Sequence, residues 1–199
     1  EAFWVSNSDH TPNPGIETKN DLDHWQFTQE LQVLGETGAL DWVAGAFYMK
    51  EKGENLNVVA FPPVIFRSGG GFKTESVAAF AQGTYNVTDS LELTAGIRYT
   101  YERKNFDTLD HQQIIGVLLD PFNRIFLDLR DNPVPFVTGD TPRITENEIT
   151  PHASIAYHWT PELMTYLSYS KGYKSGGYEQ RLAPGTPEVP SFAPERVHS

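Results

Sequence analysis

The carboxylates that could act as a general acid and base lie far apart on one strand-like segment. In the alternating segment 91–102, Glu92 and Glu102 share a face. Ten residues of strand at about 3.3 Å per residue separate them by roughly 33 Å, whereas the carboxylates of a glycosidase lie within about 10 Å of each other. The sequence therefore gives no support to acid–base catalysis, and we do not expect an enzyme.

The histidines give no metal site by the same measure. His152 and His158 share a face, but six residues of strand place them roughly 20 Å apart, and metal–ligand bonds are about 2 Å long. The chain has no cysteine, so disulfides, thiolate zinc sites and cysteine nucleophiles are excluded. Asp107, Asp110 and His111 could bind a cation in a folded loop, although solvated loop charge is the favoured interpretation.

The charge balance excludes further classes of function. The 199 residues include 15 basic and 26 acidic side chains, for a formal net charge of −11. Binding to nucleic acid requires a basic face that neutralises phosphates, so no nucleic-acid partner is expected. No run of 18 apolar residues is present, and the sequence therefore predicts no transmembrane helix.

Apolar and polar residues alternate with a period of two in six segments, which predicts strands. These strands must position any polar groups that bind a ligand. In 91–102 all twelve residues obey this rule, with Leu91, Ile97 and Tyr101 on one face and Arg98 on the other. The six predicted strands are 25–34, 40–48, 76–87, 91–102, 149–159 and 164–174.

The connections between these strands alternate between short and long. Turn-rich sequences at 35–38, 88–90 and 160–162 are short. The stretches 50–74, 103–148 and 175 onward are long, and Gly69-Gly70-Gly71 in the first of them reads as a flexible loop. Such loops are unusual in a compact soluble domain but normal at the outer rim of a transmembrane β-barrel.

The apolar face has an order along its length that favours a barrel wall. Small and aliphatic residues, including Ala95, Ile97, Ala153, Ile155 and Leu167, occupy the middle and are expected to contact lipid. Aromatic residues occupy both ends, as at membrane–water interfaces. Those near the short turns are Trp42, Tyr85, Tyr157 and Trp159, and those near the long loops are Trp25, Tyr48, Tyr99, Tyr101, Tyr169 and Tyr173.

The predicted fold is therefore all-β, with antiparallel up-and-down strands forming part of a large transmembrane β-barrel. The polar face, including Thr94, Arg98, His152, Ser154 and Ser168, is expected to line the lumen. A soluble β-sandwich is the alternative, and it would place its large side chains in mid-strand, where the core has to be filled.

Three stretches in order resemble TonB-dependent outer-membrane receptors. Residues 75–99, ESVAAFAQGTYNVTDSLELTAGIRY, resemble a mid-barrel hairpin of that family. Residues 166–178, YLSYSKGYKSGGY, followed by FAPE at 192–195, resemble a later hairpin, and FTQELQ at 27–32 with WVAGAFY at 42–48 resembles an earlier one. The resemblance implies a 22-stranded barrel that carries a plug domain in its lumen.

Against that fold, residues 1–199 are expected to form a partial β-barrel domain of about six strands in three hairpins. The plug domain and the remaining strands are absent from the sequence, so we interpret the chain as a piece from the middle of a longer receptor. The resemblance implies a bacterial outer-membrane location and contact with outer-membrane lipid. It also implies coupling, through the missing plug, to a TonB-type energy-transducing complex.

The resemblance implies uptake of a scarce nutrient as a small-molecule ligand: an iron–siderophore complex, haem, cobalamin or a glycan. The sequence does not choose among them, and no resident cofactor is expected. The alternatives are a soluble β-sandwich binding or adhesion module and a passive porin-type or autotransporter-type barrel. A plug domain upstream in a complete reading frame would exclude the last.

Seven residues are candidates for ligand contact. They are Arg98, Glu102, His152 and Lys174 on the polar face and Phe61, Phe66 and Arg67 in the first long loop. An arginine in a water-filled lumen can pair with a carboxylate or catecholate-type anion. For Arg98 an Arg–Glu ladder within the wall is the favoured alternative. The apolar run 61–67 is interpreted as a ligand-contacting tip or a segment that folds onto the plug.

Ligand specificity is expected in the loops 50–74, 103–148 and 175–194, since pairing and lipid contact constrain the wall. The longest loop contains an alternating stretch at 125–129 and a turn signal at Asp131-Asn132-Pro133. It is therefore predicted to fold partly, as a short hairpin above the membrane.

Overall fold

The structure is a computed structural model that describes residues 2–7, 17–61, 63–107, 113–120, 125–132, 134–135, 143–179 and 188–199. Every regular element in these ranges is a strand, and no helix in them could cross a membrane. The strands are β1 (Ala2–Asn7), β2 (Glu17–Thr37), β3 (Leu40–Phe61), β4 (Val64–Thr88), β5 (Leu91–Asp107), β6 (Gln113–Asp120), β7 (Ile125–Asp128), β8 (Val134–Pro135), β9 (Ile144–Thr160), β10 (Leu163–Lys174), β11 (Gly177–Tyr178), β12 (Ser191–Phe192) and β13 (Glu195–His198).

The main sheet is an antiparallel meander in the order β1-β2-β3-β4-β5-β9-β10-β13. Each of the six predicted strand segments lies within one of β2, β3, β4, β5, β9 and β10. Two-residue turns at 38–39, 89–90 and 161–162 close the three hairpins at one end of the sheet. Gly38 has a φ of 62°, which a β-carbon disfavours. The all-β, up-and-down prediction is confirmed.

The two faces of the sheet differ as the alternation predicts. Ile97 is 54% exposed and Leu167 is 73% exposed, whereas Thr100 on the opposite face is 5% exposed. The large apolar residues have no second layer over them, and the only buried apolar residues in the described part of the chain are Ala78, Phe106 and Val189. A soluble sandwich would bury its apolar face, so the structure does not support that alternative.

The prediction of a long loop at 50–74 is wrong, because most of this segment is strand. β3 has 22 residues and β4 has 25, and they pair continuously up to Phe61 and Val64. A barrel strand needs about 9–11 residues to cross a bilayer, so this hairpin is more than twice as long as a crossing requires. The three glycines 69–71 lie inside β4, and Gly69 and Gly70 are buried.

β4 changes its partner at these glycines. Below them it pairs with β5, up to Gly71 opposite Asp107, and above them it pairs with β6, from Arg67 opposite Gln113. At Gly69, which has a φ of +127°, a β-carbon would lie 1.9 Å from the carbonyl oxygen of Asn55. Both the backbone angle and the space therefore require glycine there.

The segment between β5 and β9 is partly folded, as predicted. β6 pairs antiparallel with β7 and with β8, and the Asn132 amide donates to the Leu129 carbonyl at 3.0 Å to form a turn. Pro133 lies outside the described residues. The main sheet resumes where Lys104 of β5 pairs with Ile144 of β9. The segment built on β6, β7 and β8, called the excursion below, therefore leaves and rejoins the main sheet at neighbouring positions.

One prediction about the faces is wrong, because the alternation of β10 shifts by one residue after Ser170. Tyr169 is 46% exposed on the apolar face. Lys171, however, binds Glu148, and Tyr173 hydrogen-bonds to Thr100, both on the polar face. Ser170 is the last residue of β10 that pairs with β9, and from Lys171 onward β10 pairs with β13. The register with β9 therefore no longer fixes the direction of the side chains beyond Ser170. Tyr173 therefore does not join the aromatic belt.

We predict that Gly45→Ala destabilises the barrel, because Gly45 provides the space for the Phe80 ring opposite it. A β-carbon at Gly45 would lie 2.5 Å from Cζ of Phe80 and 2.7 Å from the carbonyl oxygen of Leu31. Overpacking of this kind costs about 1–3 kcal/mol. Gly172→Ala is the matched control, because a β-carbon there meets no atom within 4 Å. Urea unfolding of the full-length protein in detergent, followed by heat-modifiable electrophoretic mobility, compares the two. Equal midpoints would contradict the prediction.

We also predict that Gly69→Ala disrupts the pairing of β4 with β6 and spares its pairing with β5. The strain is confined to the point where β4 leaves β5 for β6. Hydrogen exchange in the full-length protein should show protection lost in 113–117 and retained in 91–102. Loss of protection in both segments, or in neither, would be inconsistent with a local partner switch.

Candidate functional site

The upper polar face, near the long-loop end, is organised around a buried carboxylate. The side chain of Glu148 on β9 is 3% exposed. Lys171 Nζ on β10 lies 3.0 Å from its Oε2, and Arg196 Nε on β13 lies 2.6 Å from its Oε1. A buried carboxylate held by two cations links three strands. The sequence missed this group, because simple alternation assigned Lys171 to the apolar face.

Arg98 on β5 lies between two aromatic rings of the same face. Its guanidinium carbon is 5.3 Å from the ring centre of Phe47 and 5.6 Å from that of Phe80, which are cation–π distances. Its Nε donates to Oγ1 of Thr100 at 3.2 Å. Within the described residues no ion pair involves Arg98, so the expected Arg–Glu ladder is wrong for this residue. A fixed positive charge flanked by aromatic rings is suited to binding an anionic group of a ligand.

Glu102 and Lys174, two further candidates, border one cleft of about 470 Å³ above Arg98. Lys104 Nζ lies 3.1 Å from Oε1 of Glu102 and donates to the carbonyl of Gly176 at 2.9 Å. The volume is within the usual range for small-molecule pockets. The cleft is also lined by Met49, Glu51, Phe72, Thr74, Asn105, Phe106, Ser175, Gly177, Tyr178 and Phe192.

His152 lies one step along the polar face from Arg98. It is half-buried and pairs with Gly96 on β5 and with Ser170 on β10, whereas Arg98 pairs with Thr150. The structure therefore brings Arg98, Glu102 and His152 onto one continuous face. Lys174 borders the cleft, but because Lys171 and Tyr173 lie on the polar face, alternation places Lys174 on the other face, contrary to the expectation from the sequence.

The other three candidates lie elsewhere, on the outer part of the β3–β4 hairpin. Phe66 pairs with Val59 and Ile114, and Arg67 pairs with Val58 and Gln113. The side chain of Phe61 lies outside the described residues. Phe66 is 14 residues along β4 from Phe80, the partner of Arg98, which at about 3.3 Å per residue is roughly 46 Å. One small ligand cannot contact both groups at once.

An aromatic cluster, not predicted from the sequence, holds the last long loop against the sheet. Phe106 is 4% exposed and stacks on Tyr178 with ring centres 5.5 Å apart, and Val189 packs against them. The Tyr178 hydroxyl donates to the carbonyl of Lys104 and accepts from the amide of Ile144, each at 3.1 Å. Burial raises the pKa of Tyr178. The even-numbered alternation of β5 continues to Phe106 and could have revealed this contact.

This surface has the chemistry of anion binding. No group of three or more His, Asp or Glu side chains in the described part of the chain could hold a metal ion. Glu92 and Glu102 both lie on β5, ten residues apart. The upper face offers a fixed guanidinium, a salt-bridged carboxylate and a cleft lined by aromatic rings, which can recognise an anion.

Comparison with known proteins agrees with this fold. Residues 2–199 match the family model for the β-barrel of TonB-dependent receptor-like proteins. The pesticin receptors of Yersinia enterocolitica and Yersinia pestis are each 25% identical over 177 residues, which is 87% of this chain and 23% of theirs. The chain therefore spans about a quarter of the length of these relatives.

A solved structure is similar along nearly the whole chain. The ferric yersiniabactin uptake receptor FyuA from Yersinia pestis superposes with a TM-score of 0.70 at 20% identity, over 94% of this chain and 27% of that one. At that identity the likeness concerns the fold. The sheet is a meander with one apolar and one polar face, short turns at one end and long hairpins at the other. Together with the family match over 2–199, this fold shows that the chain belongs to the TonB-dependent receptor β-barrel family.

Proposed function

We propose that this chain forms part of the barrel wall of a bacterial outer-membrane receptor that takes up a ferric siderophore. The observation that carries the proposal is the upper polar face, where Arg98 holds a positive charge between two aromatic rings with no carboxylate paired to it among the described residues. The family of receptors to which the chain belongs supports the outer-membrane location and the uptake role.

The class of ligand follows from the chemistry of this face. Siderophores bind ferric iron through oxygen anions, and arginine pairs strongly with such groups. Phe47 and Phe80 add aromatic surface beside the guanidinium. The names of the relatives, a pesticin receptor and a ferric yersiniabactin uptake receptor, favour a ferric siderophore over haem, cobalamin or a glycan.

The proposal extends to partners. Residues 1–199 would supply six long strands of the barrel, with the short strands β1 and β13 pairing at the two edges. The plug domain and the other strands would belong to the rest of the receptor, as the coverage of 23% of the pesticin receptor suggests. Energy would come from a TonB-type complex that acts on the plug. Lipid would contact the face that carries Ile97, Ile155 and Leu167.

Arg98→Gln in the full receptor should weaken binding of ferric yersiniabactin, used as the probe, by about tenfold or more. A hydrogen bond to a charged group contributes about 1.5–3 kcal/mol, and each 1.4 kcal/mol is tenfold in affinity. Arg98→Lys should retain part of the affinity, because it keeps the charge but loses the planar donor fork. Fluorescence titration of purified receptor in detergent measures both.

The matched control for Arg98 is Lys19→Gln, which removes a cation that lies above the membrane, 3.2 Å from Asp21. It should leave affinity unchanged. Heat-modifiable mobility shows that each variant has folded. A folded Arg98→Gln receptor with wild-type affinity for ferric yersiniabactin, haem and cobalamin alike would remove Arg98 from the binding surface.

Deletion of residues 116–139 from the full receptor should reduce ligand affinity and leave the barrel assembled. The deletion removes most of the excursion built on β6, β7 and β8, whereas the wall closes below it at the Lys104–Ile144 pair. Surface excursions usually tolerate deletion without loss of the scaffold. Ligand titration is measured beside heat-modifiable mobility. Unchanged affinity would exclude the excursion from the site, and a lost mobility shift would show that it is structural.

A further inference from the structure

The apolar face changes character abruptly above its upper aromatic belt. Tyr48, Val77 and Tyr101 are neighbours across β3, β4 and β5, and they form the last apolar row. The next row on the same face is Lys50, Glu75 and Arg103, and the row above that is Lys52, Lys73 and Asn105. Across β3, β4 and β5, four cations and one carboxylate thus lie above the last apolar row. On β2 the aromatic residues continue beside them, with Phe27 opposite Lys50 and Trp25 opposite Lys52.

These side chains line an open cleft. Lys50, Lys52, Lys73 and Arg103 border a depression of about 410 Å³, which is also lined by Trp25, Glu51, Glu75 and Asn105. Glu51 alternates to the opposite face of β3, where it binds His24. Lys52 Nζ lies 5.6 Å from the ring centre of Trp25, and Lys50 Nζ lies 3.7 Å from Oε1 of Glu75, which also binds Arg103. One carboxylate therefore neutralises at most part of a patch that carries four positive charges, and the lysines are exposed.

The position of this patch matches the phosphate layer of a bilayer. Rows on one face are two residues apart, about 6.6 Å along a strand, and strands in such barrels tilt by about 35–45°. The two cationic rows therefore lie about 5 and 10 Å above the belt of tyrosines, where tyrosine marks the interface. The row above them, with Asp23, Glu54 and Asp107, is acidic, so the positive charge is confined to that layer.

The opposite end of the sheet has no such charge. The segments 20–49, 74–97 and 144–170, which contain the three short turns, have no lysine or arginine. Around the turns the charged residues are acidic, namely Glu36, Asp41, Asp89, Glu92 and Glu162. A general affinity for membranes would not produce this asymmetry, whereas an anionic outer leaflet would.

We propose that Lys50, Lys52, Lys73 and Arg103 bind the phosphate groups of an anionic lipid in the outer leaflet, with its acyl chains against the aromatic and aliphatic rows below. The inference rests on the proposed membrane location. Phosphate monoesters carry about −1.5 to −2 charges at neutral pH, which suits a site with a net charge near +3. The Trp25 ring would pack against the sugar or glycerol part of the headgroup.

The test compares lipids that differ only in phosphate. Full-length receptor in detergent is titrated with bisphosphorylated lipid A and with its dephosphorylated form, and bound lipid is measured by native mass spectrometry. The wild type should prefer the phosphorylated lipid. The triple variant Lys50→Gln, Lys52→Gln, Lys73→Gln should lose roughly 100-fold in affinity at low salt, since each lysine near such a surface contributes about fivefold.

Two control variants keep the result specific. The triple Lys→Arg variant at the same positions retains the charge and should bind as the wild type does. The variant Asp23→Asn, Glu54→Gln changes the acidic row and should bind at least as tightly. Excess inorganic phosphate separates lipid from free phosphate as the ligand: complete displacement at millimolar phosphate would overturn the proposal, and retention of lipid supports it.

The outcomes also separate this inference from the proposed function. If the Gln variant folds, shows heat-modifiable mobility and binds lipid A as tightly as the wild type, the lipid site is wrong and the receptor role stands. If the wild-type receptor fails to insert into lipid vesicles at all, the membrane location fails, and this inference fails with it.

Discussion

The backbone hydrogen bonds of the sheet are the constraint on which the rest of this structure depends. A bilayer offers no water to an unpaired amide or carbonyl, so a strand that crosses it must be paired on both sides. The meander meets this requirement with neighbours in sequence that are neighbours in the sheet. Pairing fixes the register, and because side chains alternate, the register assigns every residue to lipid or to lumen. The apolar face, the aromatic belts and the polar face all follow from it.

The alternation of apolar and polar residues is therefore the feature that can be predicted most clearly from the sequence. The segment 91–102 obeys the rule at every position, and its strand, its faces and its neighbours are found where the pattern predicts them. The short turns were equally clear, because two-residue hairpins require residues such as Gly38. The wall of the sheet can thus be predicted from little more than the period of two.

Alternation could not show where a strand ends or where it shifts by a residue. The upper half of β4 reads as loop, because glycines 69–71 and the run 61–67 lack a regular pattern, yet neighbouring strands on both sides pair with it. Beyond Ser170, where pairing with β9 ends, Lys171 and Tyr173 lie on the polar face. The surroundings of Arg98 were also out of reach, since cross-strand contacts with Phe47 and Phe80 depend on side-chain direction as well as register.

The return of the chain at the Lys104–Ile144 pair has an evolutionary consequence. The chain leaves the wall on β5 and rejoins it on β9 at two positions that pair with each other, and residues 105–107 continue β5 against β4. Loop-closure entropy grows only with the logarithm of length, so the scaffold is nearly indifferent to how long the insertion beyond β5 is. Recombination between relatives can replace that insertion while the pairs of β5 with β4 and with β9 stay in place. The surface that the insertion presents can thus change without a new barrel wall.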